Sequence, residues 1–131
     1  MSERLRPQDR LKRRTDFRRV QGSAQRVHTR HFLVVLAPGL GRVGITITKK
    51  VGNAVERNRV KRLVREVFRR HRHWFPEGID VVFIAKRGAP AIDFATVQEE
   101  VRRARRTLQR KAEGLLRAQG AEGLPLASEP E

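Results

Sequence analysis

In the stretch VGNAVERNRVKRLVREVFRRHRHW, from Val51 to Trp74, the apolar residues keep a helical rhythm. Placed about 100° apart, Val60, Leu63, Val64, Val67, Phe68 and His71 fall within roughly 140° of arc. A helix with such a stripe has to lay it on another layer, and the apolar segments on either side of it predict that the layer is a sheet. Asn53 is suited to cap this helix. Glu56, three residues on, can return a hydrogen bond to the cap backbone.

The rest of that helix is cationic: the stretch holds ten Arg, Lys and His residues. Asn58, Arg62, Arg65 and Arg69 lie opposite the apolar stripe, with Arg59 and Arg70 on one flank and Lys61 on the other. Arg57 projects inside the apolar arc, so the first turn is expected to overhang the sheet edge. Arg57, Lys61, Arg65 and Arg69 form an i,i+4 ladder of like charges, each pair costing a few tenths of a kcal/mol. Only Glu56 and Glu66 offset it locally. A charge run is ordinarily a solvated face. Here the sign is nearly uniform, and the whole 131-residue chain carries 30 Lys and Arg against 14 Asp and Glu, a net charge of +16. Such an imbalance points to a polyanionic partner, whose phosphates turn the repulsion into attraction through counterion release. Lysines occur only at Lys12, Lys49, Lys50, Lys61, Lys86 and Lys111. Planar forks that bind phosphate therefore dominate, which favours nucleic acid.

The length suits one domain. With no cysteine there is no disulfide framework and no thiolate chemistry. MSERLRPQDR lacks a signal-peptide core and FLVVLAPGL (32–40) is far short of a membrane span, so a cytoplasmic protein without membrane contact is expected. Residues 1–118 are expected to form one domain, with 1–9 a loose basic arm and the packed part at about 10–113. Helical rhythm fades near Gly120, and 119–131 is expected as a flexible acidic tail.

Thr15 can cap a short helix carrying Phe17 and Val20 and closing near Gly22. HFLVVLA (31–37) reads as a buried strand, and RVGITIT (42–48) alternates Val43, Ile45 and Ile47 with Gly44, Thr46 and Thr48. The Pro38–Gly41 turn between them predicts an antiparallel hairpin. Residues 24–29 add an edge strand, and IDVVFIAK (79–86) is another strand. Asp93 caps a last helix with Phe94, Val97, Val101, Ala104 and Leu108 on one side. The order α-β-β-β-α-β-α predicts an α+β sandwich, a mixed sheet with helices largely on one face.

RVGITITKKVGNAVERNRVKRLVREVF (42–68), with Arg57-Asn58-Arg59 in register behind Lys49-Lys50 and Gly52-Asn53, resembles the signature of the bacterial ribonuclease P protein component. RLKRRTDFRRV (10–20) resembles that family's N-terminal block. The resemblance implies a fold similar to one domain of a ribosomal small-subunit protein, with a left-handed β-α-β crossover. It further implies an RNA-binding subunit that assists a catalytic RNA in removing the 5′ leader from precursor tRNA, one protein per RNA, with Mg2+ held jointly with RNA phosphates. By position, Arg57, Asn58, Arg59, Lys61, Arg62 and Arg65 would bind the RNA subunit. Arg13, Phe17, Val20, Thr46, Thr48, Lys49 and Lys50 would line a cleft for the single-stranded leader. Where some members carry aromatics this chain has Gln21 and Val35, leaving Phe17 as the main stacking platform.

From the residues alone, Phe17 also suits a core position, and Thr46 and Thr48 suit ordinary exposed strand positions. Strand parity puts Lys50, not Lys49, on the threonine side. HRHW (71–74) offers His-x-His without a third ligand, and His71 lies on the apolar face. Asp16, Glu56, Glu66, Asp80, Asp93, Glu99 and Glu100 show no spacing for a paired-metal nuclease, so no catalytic residue is assigned to the chain. A structural RNA-binding protein of the ribosomal kind would share charge and size. A DNA-binding module fits less well, because the basic helix is half buried and no helix-turn-helix spacing appears.

Overall fold

The computed structural model describes residues 6–128. Strands β1 (Gln25–His28), β2 (Phe32–Pro38), β3 (Val43–Thr46) and β4 (Ile79–Ala85) form one mixed sheet in the order β1-β2-β4-β3. Helices α1 (Arg14–Gln21), α2 (Ala54–Arg70) and α3 (Phe94–Ser128) complete the predicted α-β-β-β-α-β-α sequence. β2 and β4 pair antiparallel from Phe32↔Ala85 to Pro38↔Ile79, while β3 runs parallel to β4 with α2 as the connection.

The expected hairpin between β2 and β3 does not form, because β4 lies between them. Turn chemistry at Pro38–Gly41 reverses the chain but does not choose its neighbour. β4 buries residues on both faces, with Ile79, Val81 and Phe83 in one cluster and Val82 in the other. Such a strand gains most in the middle of the sheet. The connection instead crosses the end of β4: Gly39 N–H donates to the Gly78 carbonyl at 2.7 Å, and Leu40 and Arg42 N–H donate to Asp80 Oδ1 at 3.0 and 2.8 Å. A Cβ on Gly39 would stand 2.1 Å from Asp80 Oδ2, so only glycine fits there.

α2 and α3 cover one face, packing Val60, Val64, Val67, Phe68, Val97, Val101 and Leu108 onto Phe32, Val34, Val81 and Phe83. α1 covers the other, burying Val20 with Leu11, Val35, Ala37 and Val82. Thr15 is not the cap of α1. The helix starts at Arg14 with Arg13 as N-cap, whose carbonyl accepts from Asp16 and Phe17 N–H at 3.1 Å each, and no side chain caps it. α2 has the predicted capping box: Asn53 Oδ1 accepts from Glu56 N–H at 2.8 Å and Glu56 Oε1 accepts from Asn53 N–H at 2.9 Å. Asp93 Oδ1 accepts from Thr96 N–H at 2.9 Å at the start of α3.

Both ends differ from expectation. Pro7–Asp9 form a 3-10 turn and Arg10 bridges to Val43, so ordered packing begins inside the expected 1–9 arm. α3 runs to Ser128, through most of the expected 119–131 tail. Residues 1–5 and 129–131 lie outside the described residues.

Candidate nucleic-acid interface

The outer side of α2 carries its cations at graded depth: Asn58, Arg59 and Arg62 are exposed, while Arg57, Lys61 and Arg65 are half-buried. Arg57 folds back to donate to the Gly52 carbonyl at 2.7 Å, so it lines the entry to the helix. Arg59 donates to the Pro90 carbonyl at 3.1 Å. The last turn is partly neutralised. Glu66 binds Arg69, and Arg70 at 2.7 Å, and these hydrogen bonds, that from Arg69 first, pull its carboxyl down to about 2. The uncompensated charge therefore sits in the first turns of α2.

Arg10 joins that surface from the segment before α1. With Arg59, Arg62 and Arg65 it lines a cleft of about 640 Å³ floored by Leu63 and Phe94. Burial first, and then the charge of Arg10, draw the Arg65 guanidinium below its usual pKa.

On the opposite face of the sheet, the Phe17 ring lies over β3 where a Cβ on Gly44 would come within 2.6 Å of Phe17 Cε1. Thr46 Oγ1, on the same face, donates to Gln21 Oε1 at 2.6 Å. Phe17, Thr46 and Gln21 thus meet at one partly open site. Val20 does not take part: it is 0% exposed, its side chain spent in the α1 core. β3 stops at Thr46, so strand parity does not extend to the lysines. Thr48, Lys49 and Lys50 are exposed in a turn closed by Val51 N–H to the Thr48 carbonyl at 3.0 Å. Arg13 is exposed at the start of α1.

What holds α1 in place is a charge cluster that no spacing in the chain announces. Asp80, fully buried, accepts from Arg19 Nη2 at 2.6 Å and Arg42 Nη2 at 2.8 Å, and Asp16 faces both arginines at 3.6 and 3.5 Å. Burial by itself would raise the Asp80 pKa. Hydrogen bonds from Arg42 and then Arg19 outweigh it and hold the carboxyl below the usual range. Gln21, as part of this site, Arg10 and the cluster were missed from sequence, because each depends on contacts between segments far apart in the chain.

HRHW forms a packed corner. The His71 ring stacks on Trp74 at 3.8 Å and 6°, and its Nε2 lies 3.1 Å from Gln98 Oε1. Glu99 binds Arg102 and Arg103, and Glu100 binds His31 through both ring and backbone. These acids are engaged with arginine and histidine side chains. The surfaces left open offer guanidinium, ammonium, amide and hydroxyl groups beside the partly exposed rings of Phe17 and Phe94, which suits phosphate contact and stacking.

The family described as Ribonuclease P matches residues 5–109. A ribonuclease P protein component of Citrifermentans bemidjiense is 42% identical over 106 residues, covering 79% of this chain and 90% of that protein. One from Desulfovibrio desulfuricans is 42% identical over 123 residues, covering 88% and 92%. Among solved structures, the RNase P protein of Staphylococcus aureus aligns with a TM-score of 0.63 at 31% identity, over 72% of this chain and 90% of that one. The RNase P protein from Thermotoga maritima aligns with 0.61 at 33% identity, over 76% and 92%.

Proposed function

The chain belongs to the ribonuclease P protein family, and from that premise we propose that it works as two RNA-binding surfaces set on opposite faces of one sheet. The outer side of α2, with Arg57, Asn58, Arg59, Lys61, Arg62 and Arg65, docks on the catalytic RNA subunit and stabilises its fold. The site between α1 and β3, with Phe17, Thr46, Thr48, Lys49, Lys50 and Arg13, holds the 5′ leader of precursor tRNA. A base stacked on Phe17 and phosphates near the turn lysines grip a strand with little regard to its sequence. Val20 supports this site from beneath.

The observation that carries the proposal is the separation of the two surfaces by the sheet. A protein that only scaffolds an RNA has no use for a second site where an aromatic ring lies over a glycine beside a hydroxyl and two lysines. Hydrolysis belongs to the RNA. The open interface of α2 is mainly guanidinium and ammonium, which repel a cation and offer it no lone pair, so Mg2+ in the particle falls to RNA phosphates. One protein serves one RNA.

The test is reconstitution: precursor tRNA, the cognate RNA subunit and the purified protein at low Mg2+. Accurate 5′ cleavage is expected only with both subunits present. Cleavage by the protein alone, or by the RNA equally well without it, would defeat the proposal.

A further inference from the structure

Arg10 and Arg65 stand together in the cleft beside α2, and their Nε atoms are both buried without a hydrogen-bond partner. They are the only buried side-chain nitrogens or oxygens in that position among the described residues. A buried donor left unsatisfied destabilises the fold, and more so when it belongs to a charged group. Neither arginine is paired with a carboxylate among the described residues. Glu66, the acid lining the cleft, is taken by Arg69 and Arg70. The Arg10 backbone is held beside β3, bridged to Val43, with Leu11 N–H donating to the Val43 carbonyl at 2.9 Å. The fold thus holds two like charges close together, half out of water and with donors unmet. The missing component is an anion with several acceptor oxygens.

We propose that Arg10 and Arg65 form a clasp for one phosphate group, supplied in the assembled particle by the RNA backbone. A phosphate accepts from both forks, satisfies both Nε–H donors and cancels the repulsion between the two guanidiniums. The clasp rests on α2 being the RNA-docking face, and it extends that face to the segment preceding α1. Arg10, absent from the set of RNA-binding residues drawn from the helix, becomes part of it.

The test uses Arg10→Gln and Arg65→Gln, with Arg87→Gln, an exposed arginine on the loop after β4, as a control for general charge loss. In chloride buffer Arg10→Gln should melt at or above the wild-type temperature, because it removes a repulsion. Inorganic phosphate at matched ionic strength should raise the melting temperature of wild type and Arg87→Gln but not of the two clasp variants. With the RNA subunit, Arg10→Gln should weaken association by roughly 10- to 100-fold, the range for a charge-assisted hydrogen bond, and lower the log-log salt slope by about 0.7 to 0.9. A loss of stability in chloride and phosphate alike would make Arg10 merely structural and overturn the clasp. Phosphate protection without any change in the RNA slope would make it a free-anion site and overturn the RNA assignment. An unchanged slope for Arg10→Gln while Arg59→Ala lowers it defeats the clasp and leaves α2 as the docking face. If neither changes the slope, the docking face itself is wrong.

Discussion

Arg19 in α1 places Nη2 2.6 Å from Oδ2 of Asp80, a fully buried carboxylate on the face of β4 that α1 covers, which also receives Arg42. Sixty-one residues apart in the chain, the two tie the helix bearing Phe17 to the strand at the centre of the sheet. The same carboxylate anchors the β2–β3 connection through Leu40 and Arg42 N–H. One side chain thereby anchors both the β2–β3 connection and the helix that carries the proposed leader site.

Removing that carboxylate takes the shared acceptor from Arg19, Arg42 and the Leu40 and Arg42 N–H groups, leaving Asp16 as the remaining acid beside the two arginines. Asp80→Ala is expected to cost about 3–5 kcal/mol, the range for breaking a buried pair from one side. Urea denaturation monitored by Trp74 fluorescence measures it, and a loss below 1 kcal/mol would show the cluster to be dispensable.

Acid should weaken the fold through the same residue. The folded-state pKa of Asp80 lies below its unfolded value, so its contribution is complete above about pH 4 and drains away as pH falls through the folded pKa. The urea midpoint should be level between about pH 5 and 7 and decline below about pH 4. Asp80→Asn should start lower at neutral pH and decline less steeply; parallel acid limbs would assign the acid sensitivity to other carboxylates.

At the proposed leader site, Phe17→Ala is expected to reduce affinity for precursor over mature tRNA by about 1–3 kcal/mol, the range for one lost stack. Gly44→Ala should act on the same preference from below, since its Cβ would meet the Phe17 ring at 2.6 Å and displace it, at about 1–3 kcal/mol of stability for overpacking. Equal losses for both tRNAs would remove this site from leader recognition.

On the proposed docking face, Arg59→Ala should weaken association with the RNA subunit and lower its log-log salt slope by about 0.7 to 0.9. Precursor-over-mature preference of the assembled particle should stay unchanged, because α2 and Phe17 lie on opposite faces of the sheet.

The N-terminus of α2 is held by its capping box, and Asn53→Ala is expected to cost about 1 kcal/mol of stability. Its thermal unfolding should shift modestly with no loss of helical content at 25 °C. A larger loss would mean that the cap also fixes the preceding lysine turn.

The chain on its own determined whatever depends on neighbours a few residues apart. The α2 stripe from Val60 to Phe68, its Asn53–Glu56 cap, the β-branched strands and the cationic outer flank are all written in short-range periodicity. So is the family motif, which implied the RNA surfaces. Pairings between distant segments were decided by the packed molecule. β4 displaced the local hairpin because it buries both faces. Val20 was drawn under α1, Asp80 gathered Arg19 and Arg42, and Arg10 came to rest beside Arg65. Each outcome turns on which groups leave water together. Desolvation is shared between segments remote in the chain, so local pattern carries no record of it.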